Sequence, residues 1–202
     1  MSVSSNKPFL VGITGGIGAG KSIVCRVFNV LGIPVYDADS RAKQLMVQDT
    51  LLISQIKALF GEKAYDDAGK LDNQYIASKV FKDKEKLSQL NGFVHPAVKK
   101  DFEKWVDENK NHPYLIKEAA LLIEAESYKA LDKLIVVTAP KDVKIKRVLN
   151  RDTHRDLEQV EAIMQKQLSD EEKIAIADYT LMNDGVEMLL PQILALHIQF
   201  SK

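Results

Sequence analysis

The sequence predicts an α/β fold in which a parallel sheet is flanked by helices and interrupted by a helical insertion. Two observations support this prediction. Short apolar runs alternate with stretches of helical periodicity along most of the 202 residues, the pattern expected of a parallel sheet. The block from about residue 40 to residue 110 has helical spacing and no convincing strand pattern, so it predicts the insertion.

The first elements are a strand, a helix and a second strand. Phe9–Thr14 is a short apolar run ending in glycines, which is typical of a buried strand. Helical spacing begins near Gly20 and ends at Gly32, a common residue just after a helix. Ile33–Asp37 predicts a second strand, with Pro34 near its start, where the missing N–H is tolerated.

The rest of the chain continues the alternation. Within the insertion we expect a polar loop at Gly61–Asp72 and two helical segments around Val80–Leu90 and Val98–Val106, with His95-Pro96 between them. The later strands are predicted at Tyr114–Glu118, Lys133–Thr138 and Tyr179–Met182, and the later helices at residues 143–151, at Leu157–Leu168 and around Ile193–Ile198.

The strongest chemical feature is Gly15–Ser22, which matches the P-loop pattern G-x-x-x-x-G-K-[ST] between a predicted strand and a predicted helix. Glycines let backbone N–H groups approach a phosphate, and the following helix adds the positive end of its dipole. Lys21 can reach the β- and γ-phosphates, and the Ser22 hydroxyl can ligate Mg²⁺. The segment predicts binding of a nucleoside triphosphate with Mg²⁺.

Carboxylates follow the second strand and end the third. Asp37 and Asp39 flank Ala38, and ligands of open α/β sheets bind beyond the carboxyl ends of the strands. Alternate residues of an extended chain point oppositely, so we expect one of the two to face the reaction centre. Capping of a helix that starts near Ser40 explains the pair equally well. Glu118 is a second candidate for holding Mg²⁺, through water.

Basic residues concentrate in Lys141–Arg155, which holds six basic and two acidic side chains in a chain with no net charge. Arg147 and Arg151 are four residues apart and share a helical face. Arginines on a closing segment suit phosphoryl transfer, which depends on charge stabilisation and positioning. An ordinary solvated basic face accounts for the composition equally well.

The balance of 28 basic and 28 acidic residues argues against a nucleic-acid binder with a broad basic surface. No apolar run approaches the ~18–20 residues of a membrane span. The lone Cys25 fits a reducing compartment, and the apolar run after the polar start is too short for a signal-peptide core. We expect a cytoplasmic protein, a monomer or small homo-oligomer, that acts on a small molecule without a nucleic-acid or membrane partner.

The motifs together resemble the dephospho-CoA kinase family. The first matching segments are Val11–Ser22, Leu31-Gly32 and Val35–Asp39, which resemble the N-terminal motifs of that family. Because the matches run in the family's order from residue 11 to residue 185, the resemblance covers nearly the whole chain. The later matches are Leu90–Pro96, Leu121–Glu124, Arg147 with Arg151-Asp152, Gln167, Ala177-Asp178 and Asn183–Gly185.

The resemblance implies ATP-dependent phosphorylation of the ribose 3′-hydroxyl of dephospho-CoA, the last step of coenzyme A synthesis. It also implies a P-loop core of residues 1–39, 111–140 and 177–202. Residues 40–110 would form a helical domain for the CoA substrate, and residues 141–176 would form a lid.

The same resemblance implies residue roles. Lys21, Asp39 and Arg151 would be catalytic, with Asp39 as the base near the acceptor hydroxyl and Arg151 on the phosphates. Asp37, His95 and Glu124 would lie around the acceptor. The predicted ATP-binding residues are Gly16, Ile17, Gly18, Ala19, Gly20, Lys21, Ser22, Ile23, Arg147 and Asn183, and the predicted ligand of Mg²⁺ is Ser22.

The sequence departs from the family pattern at two places. Ile23 stands where Thr is common, and Ser22 still supplies the metal hydroxyl. Glu118–Ala120 replaces an Asp-x-Pro that often precedes the Leu-Leu element, which leaves the carboxylate role of Glu118 less defined.

From the residues alone, the pattern indicates a small-molecule kinase of adenylate-kinase-like build, so a nucleoside or nucleoside monophosphate kinase is the alternative. A P-loop switch protein would carry a water-positioning glutamine and, for guanine, an Asn-Lys-x-Asp element. Neither Asn73-Gln74 nor Asn183–Gly185 has that lysine. A catalytically inactive scaffold is disfavoured because the catalytic residue types named above are present.

Overall fold

The computed structural model describes residues 8–81 and 83–202. Its five strands are β1 (Phe9–Thr14), β2 (Val35–Asp37), β3 (Tyr114–Glu118), β4 (Lys133–Thr138) and β5 (Tyr179–Met182). They form one sheet in the order β2-β3-β1-β4-β5, and every pairing is parallel. The predicted α/β class with a parallel sheet is confirmed.

The helices extend over most of the remaining described residues. They are α1 (Lys21–Val30), α2 (Ala38–Gln48), α3 (Thr50–Phe60), α4 (Asn73–Val80), α5 (Lys84–Asn109), α6 (Lys141–Arg151), α7 (Leu157–Gln165), α8 (Asp170–Ile176) and α9 (Leu189–Phe200). Short 3₁₀ turns lie at Glu62–Ala64 and Ser127–Ala130. None of the described helices is long and apolar enough to span a bilayer.

The central strands β1 and β4 are buried at every position after the first. Such strands read as continuous apolar runs because helices cover both faces of a parallel sheet. Phe28 of α1 and Ile193 of α9 are fully buried in the same cluster as these strands. This packing fixes the carboxyl ends of β1 and β4, from which the glycine-rich loop and α6 start.

The chain divides into two compact units, Met1–Asp37 with Glu108–Lys202 and Ala38–Asp107. The first contains the sheet. The second is helical and has its own core, in which Leu52 and Ile56 are almost completely buried. Within it, the expected loop Gly61–Asp72 contains a 3₁₀ turn and a bridge between Tyr65 and Leu71. The roles of residues 40–110 as a CoA domain and of residues 141–176 as a lid stay predictions.

The predicted helix boundary at His95-Pro96 is wrong. Helix α5 runs through both residues, and the chain instead leaves the helix after Val80. A proline inside a helix lacks one N–H and crowds the carbonyl four residues earlier. That earlier residue is Gly92, whose backbone adjusts more freely than that of any residue with a side chain.

The extended placement of Asp39 is also wrong. Strand β2 ends at Asp37, and α2 begins at once with Ala38, so Asp39 lies in the first helical turn. The alternation expected of a strand therefore does not apply to this pair. A carboxylate in the first turn is favoured by the positive end of the helix dipole.

Helix α8 was not expected, and the predicted helix Leu157–Leu168 ends earlier, at Gln165. A capping box starts α8, because Ser169 accepts from the Glu172 N–H and Glu172 accepts from the Ser169 N–H. The polar start of the chain, residues 1–7, lies outside the described residues.

Candidate active site

The glycine-rich loop between β1 and α1 requires glycine at several of its positions. Gly18 and Gly20 have φ values of 79° and 98°, in the left-handed region. A Cβ at Gly15 would overlap the carbonyl of Val137, and one at Gly18 would overlap the carbonyl of Lys144. The glycines therefore let the loop pack closely against β4 and α6.

Hydrogen bonds hold this loop in shape. The Ala19 N–H donates to the Gly16 carbonyl at 3.2 Å, and Lys21 Nζ donates to the Gly15 carbonyl at 3.0 Å. Two amide side chains from distant parts of the chain add one bond each. The Ile17 N–H donates to Gln167 Oε1 at 2.9 Å, and Asn183 Nδ2 donates to the Ala19 carbonyl at 2.8 Å.

Two carboxylates lie side by side at the carboxyl ends of neighbouring strands. Asp37 of β2 and Glu118 of β3 are partners in register. Burial raises the pKa of the Cys25 thiol, Glu118 raises that pKa further, Lys21 opposes the shift, and Asp37 adds to it. The glycine-rich loop starts at the same edge of the sheet, because Ile13 near the end of β1 is the partner of Glu118 in register.

Ser22 is exposed at the start of α1. Gly20, at the N-cap, offers no side-chain acceptor to the first-turn N–H groups of this helix. Among the described residues, no three or more His, Cys, Asp or Glu side chains are grouped so that they could hold a metal ion. A single hydroxyl suits Mg²⁺, which keeps several waters and is held through substrate phosphates rather than in an all-protein cage.

Arg147 and Arg151 lie one turn apart on α6 and have different partners. Arg147 donates to the Asn183 carbonyl at 2.8 Å and to Asn183 Oδ1 at 3.3 Å. Arg151 has a side chain 62% exposed and makes a forked ion pair with Asp152, at 2.8 and 2.9 Å. Hydrogen bonding to Asp152 raises the pKa of Arg151, and the pair lowers the pKa of Asp152.

A comparison of the sequence with models of known families decides the assignment, because the dephospho-CoA kinase model matches residues 9–188. The chain belongs to the dephospho-CoA kinase family. Members of this family are transferases that phosphorylate an alcohol group of a small molecule and use ATP as the donor.

Individual relatives agree with this membership. A dephospho-CoA kinase of Bacteroides fragilis is 36% identical over 186 residues, which cover 92% of this chain and 90% of that protein. A solved structure from Thermus thermophilus has a TM-score of 0.85 and 31% identity, over 95% of this chain and 97% of that one. The dephospho-CoA kinase from Campylobacter jejuni has a TM-score of 0.68 and 27% identity, over 94% and 95%. These relatives favour the dephospho-CoA kinase interpretation over the nucleoside kinase alternative.

The family resemblance predicts four residues around the acceptor substrate. They are distributed over both units. His95 is exposed on α5, and Asp39 is exposed in the first turn of α2, both in the second unit. Asp37 and Glu124 belong to the first unit. The roles of these residues in substrate binding stay predictions.

Glu124 has an additional part in packing. Its Oε1 lies 3.0 Å from Nζ of the fully buried Lys173 and accepts from the Leu168 N–H at 3.1 Å. Lys173 also donates to the Leu168 carbonyl at 2.8 Å. The other oxygen, Oε2, is buried and has no hydrogen-bond partner among the described residues. A buried ammonium needs such a partner, because its desolvation is otherwise too costly.

Sequence reasoning gave no role to three side chains behind the loop. Gln167 is only a family match, Lys144 is one of the six basic residues of Lys141–Arg155, and Asp170 belongs to no motif. The structure places all three beside Gly16, at the wall of a cavity of about 490 Å³. No local pattern indicates this convergence, because the residues come from α6, the α7–α8 connection and α8.

Proposed function

We propose that this chain transfers the γ-phosphoryl group of ATP to the 3′-hydroxyl of the ribose of dephospho-CoA, giving coenzyme A and ADP. In a chain of this family, the observation that carries the proposal is the glycine-rich loop with Lys21, at the edge of the sheet where Asp37 and Glu118 end neighbouring strands. A cation and carboxylates at one edge serve the transfer of an anionic group to a hydroxyl.

The donor site in this proposal is the loop with its neighbours Arg147 and Asn183. Residues 16–23 surround the phosphates with backbone N–H groups and the N-terminus of α1. Lys21 moves from the Gly15 carbonyl to the β- and γ-phosphates. Arg151 exchanges Asp152 for the transferring group, where developing charge makes its interaction strongest.

Mg²⁺ is proposed to accompany ATP and to be held by the Ser22 hydroxyl, with Asp37 or Glu118 acting through water. When bound, the ion neutralises charge on the β- and γ-oxygens. The exposed hydroxyl and the two carboxylates in register fit such a site.

The acceptor hydroxyl is proposed to give its proton to Asp39. The ribose oxygen forms a bond to the γ-phosphorus while the bond between that phosphorus and the β–γ bridging oxygen breaks, and ADP leaves with the electron pair. Asp37, His95 and Glu124 would bind the acceptor. Because the transition state is loose, proton removal is late, and orientation of the hydroxyl matters as much as basicity.

The wider roles follow from the same proposal. Residues 40–110 would bind CoA, and residues 141–176 would close over ATP as a lid. The protein would work in the cytoplasm as a monomer or small homo-oligomer, without a nucleic-acid or membrane partner.

A coupled assay of ADP release against a panel of acceptors tests the function. We expect ADP with dephospho-CoA and only background rates with nucleosides and nucleoside monophosphates. Lys21→Ala should abolish transfer with the fold retained, while Lys129→Ala, at an exposed position in the same unit, should behave as wild type. Faster turnover with a nucleoside, or activity of Lys21→Ala within a few-fold of wild type, would overturn the proposal.

A further inference from the structure

The hydrogen bond between Ile17 and Gln167 joins the glycine-rich loop to residues 141–176. The Gln167 amide oxygen accepts the Ile17 N–H at 2.9 Å, across 150 residues of sequence. Ile17 lies between two glycines, where the backbone is otherwise the most permissive in the chain. The acceptor therefore restrains the loop where its own residues restrain it least.

Lys144 of α6 covers the same part of the loop. Its carbonyl packs against Gly18 so closely that no Cβ would fit there. A Cβ built at Gly16 would lie 3.6 Å from Lys144 Nζ, 3.5 Å from Asp170 Oδ1 and 3.8 Å from Gln167 Oε1. Three polar side chains thus converge on one glycine of the loop.

Asp170 connects this group to the sheet. Its Oδ2 accepts from Lys144 Nζ and from Thr138 Oγ1, both at 2.6 Å. The Lys144 side chain is only 9% exposed, so the pair is shielded from solvent and from salt. Asp170 is the first residue of α8 and follows Gln167 by three positions. Fixing Asp170 to β4 and α6 therefore fixes the backbone that carries Gln167.

We infer that Gln167 is a positioning residue for the donor phosphates, and that the Lys144–Asp170 pair positions Gln167. A flexible glycine loop visits shapes that do not bind phosphate, and the apparent affinity falls in proportion to the fraction in the competent shape. Gln167 raises that fraction through Ile17. This inference rests on the proposed use of the loop as the ATP site.

The test compares Gln167→Ala with Gln165→Ala, an exposed glutamine two residues earlier. We expect Gln167→Ala to raise the Kd for ATP, measured by calorimetry without acceptor, and the KM for ATP by about five- to tenfold. The kcat at saturating ATP should stay within about twofold, because saturation restores the competent shape. Gln165→Ala should change neither constant.

Two results would overturn the role of Gln167. A fall in kcat at saturating ATP with an unchanged Kd would mean that Gln167 acts on the reacting phosphate. Unchanged Kd and KM would mean that the bond to Ile17 does not order the loop. Should Gln167→Ala fail to fold, Gln167→Met is of similar length, has no acceptor of comparable strength for the Ile17 N–H and should also raise the Kd for ATP; an unchanged Kd would contradict the inference.

Asp170→Asn tests the second half of the inference. It keeps an oxygen for Thr138 and removes the charge paired with Lys144, so it should raise the Kd for ATP less than Gln167→Ala does. If Asp170 acts through Gln167, the double variant should bind ATP no more weakly than Gln167→Ala alone. If the double variant instead raises the Kd by the product of the two single effects, Asp170 acts independently of Gln167.

The calorimetric arm separates this inference from the proposed function. ATP binding is measured without an acceptor. If dephospho-CoA were not the acceptor, turnover would be absent, but Gln167→Ala would still bind ATP more weakly than wild type. A wild-type chain that bound no ATP would overturn both.

Discussion

Two arginines on one face of α6 illustrate two ways of holding a cation. Arg147 is half-buried and bound to the backbone and side chain of Asn183, which itself is bound to the glycine-rich loop. Arg151, one turn later, lies at the end of the helix with its guanidinium on a neighbouring carboxylate. Two arginines four residues apart on one helix thus differ in environment: Arg147 is held by hydrogen bonds to Asn183, and Arg151 is exposed.

The difference in partner predicts a difference in function. An exposed ion pair contributes little to stability, so Arg151 can exchange Asp152 for phosphate at small cost. Arg147 would lose two hydrogen bonds and uncover the contact between Asn183 and the loop if it moved. We therefore expect the exposed Arg151 to act on turnover and the anchored Arg147 to act on ATP binding.

The strongest test of this contrast is Arg151→Ala. We expect kcat to fall by roughly 10³ or more, toward the 10³–10⁵ range of arginine fingers, because the guanidinium is engaged mainly in the transition state. The Kd for ATP should change little. Arg151→Lys keeps the charge without the planar fork and should recover only part of the rate. An unchanged kcat with a raised KM for ATP would make Arg151 a second anchor.

Asp39→Asn extends the contrast to the acceptor, where Asp39 is the proposed base. Loss of a general base should lower turnover by roughly 10²–10⁴, with ATP affinity in calorimetry nearly unchanged. Asp37→Asn is the matched control and should lower turnover less. If Asp37→Asn is the more damaging variant, the base is Asp37.

Arg147→Ala tests the anchored side. We expect the KM for ATP to rise by about tenfold, the effect of about 1.4 kcal/mol, with kcat changed by less than about threefold. Lys146→Ala, at the exposed neighbouring position, should leave both constants unchanged. A large loss of kcat would remove the distinction between the two arginines.

The smallest effect on turnover is expected for Lys173→Met. This change leaves Glu124 unpaired and should lower the free energy of unfolding by about 3 kcal/mol, measured by urea denaturation. Well below the unfolding temperature, kcat should remain within about threefold of wild type. Lys173→Met combined with Glu124→Gln should recover part of the stability; if the double variant is no more stable than the single one, the ion pair does not explain the loss.

Features that depend on local chemistry were predictable from the sequence. The glycine spacing of Gly15–Ser22 and the apolar runs of β1, β3, β4 and β5 predict the P-loop and most of the sheet, and the structure has them. The local rules misled at two places. Pro96 is read as a helix end, although α5 accommodates it, with Gly92 four residues earlier. Asp37 and Asp39 are interpreted equally well as the end of a strand or as the cap of a helix near Ser40, and the structure starts that helix two residues earlier, at Ala38.

Contacts between segments distant in the chain could not be predicted from the sequence. Nothing around Gln167 indicates a partner 150 residues away, and the pairing of Lys144 with Asp170 exists only once α6 and α8 are packed. The start of α8 is different, because Ser169 and Glu172 form a capping box that is readable in the sequence.

The bond between Asn183 and Ala19 also has a consequence for how the protein is made. The glycine-rich loop leaves the ribosome well before its side-chain partner, which follows 164 residues later. At about 5–20 residues per second, that interval lasts roughly 8–30 s. For most of this time the nascent loop lacks both Gln167 and Asn183. The contacts that hold the loop are therefore completed only after all five strands of the sheet have been synthesised.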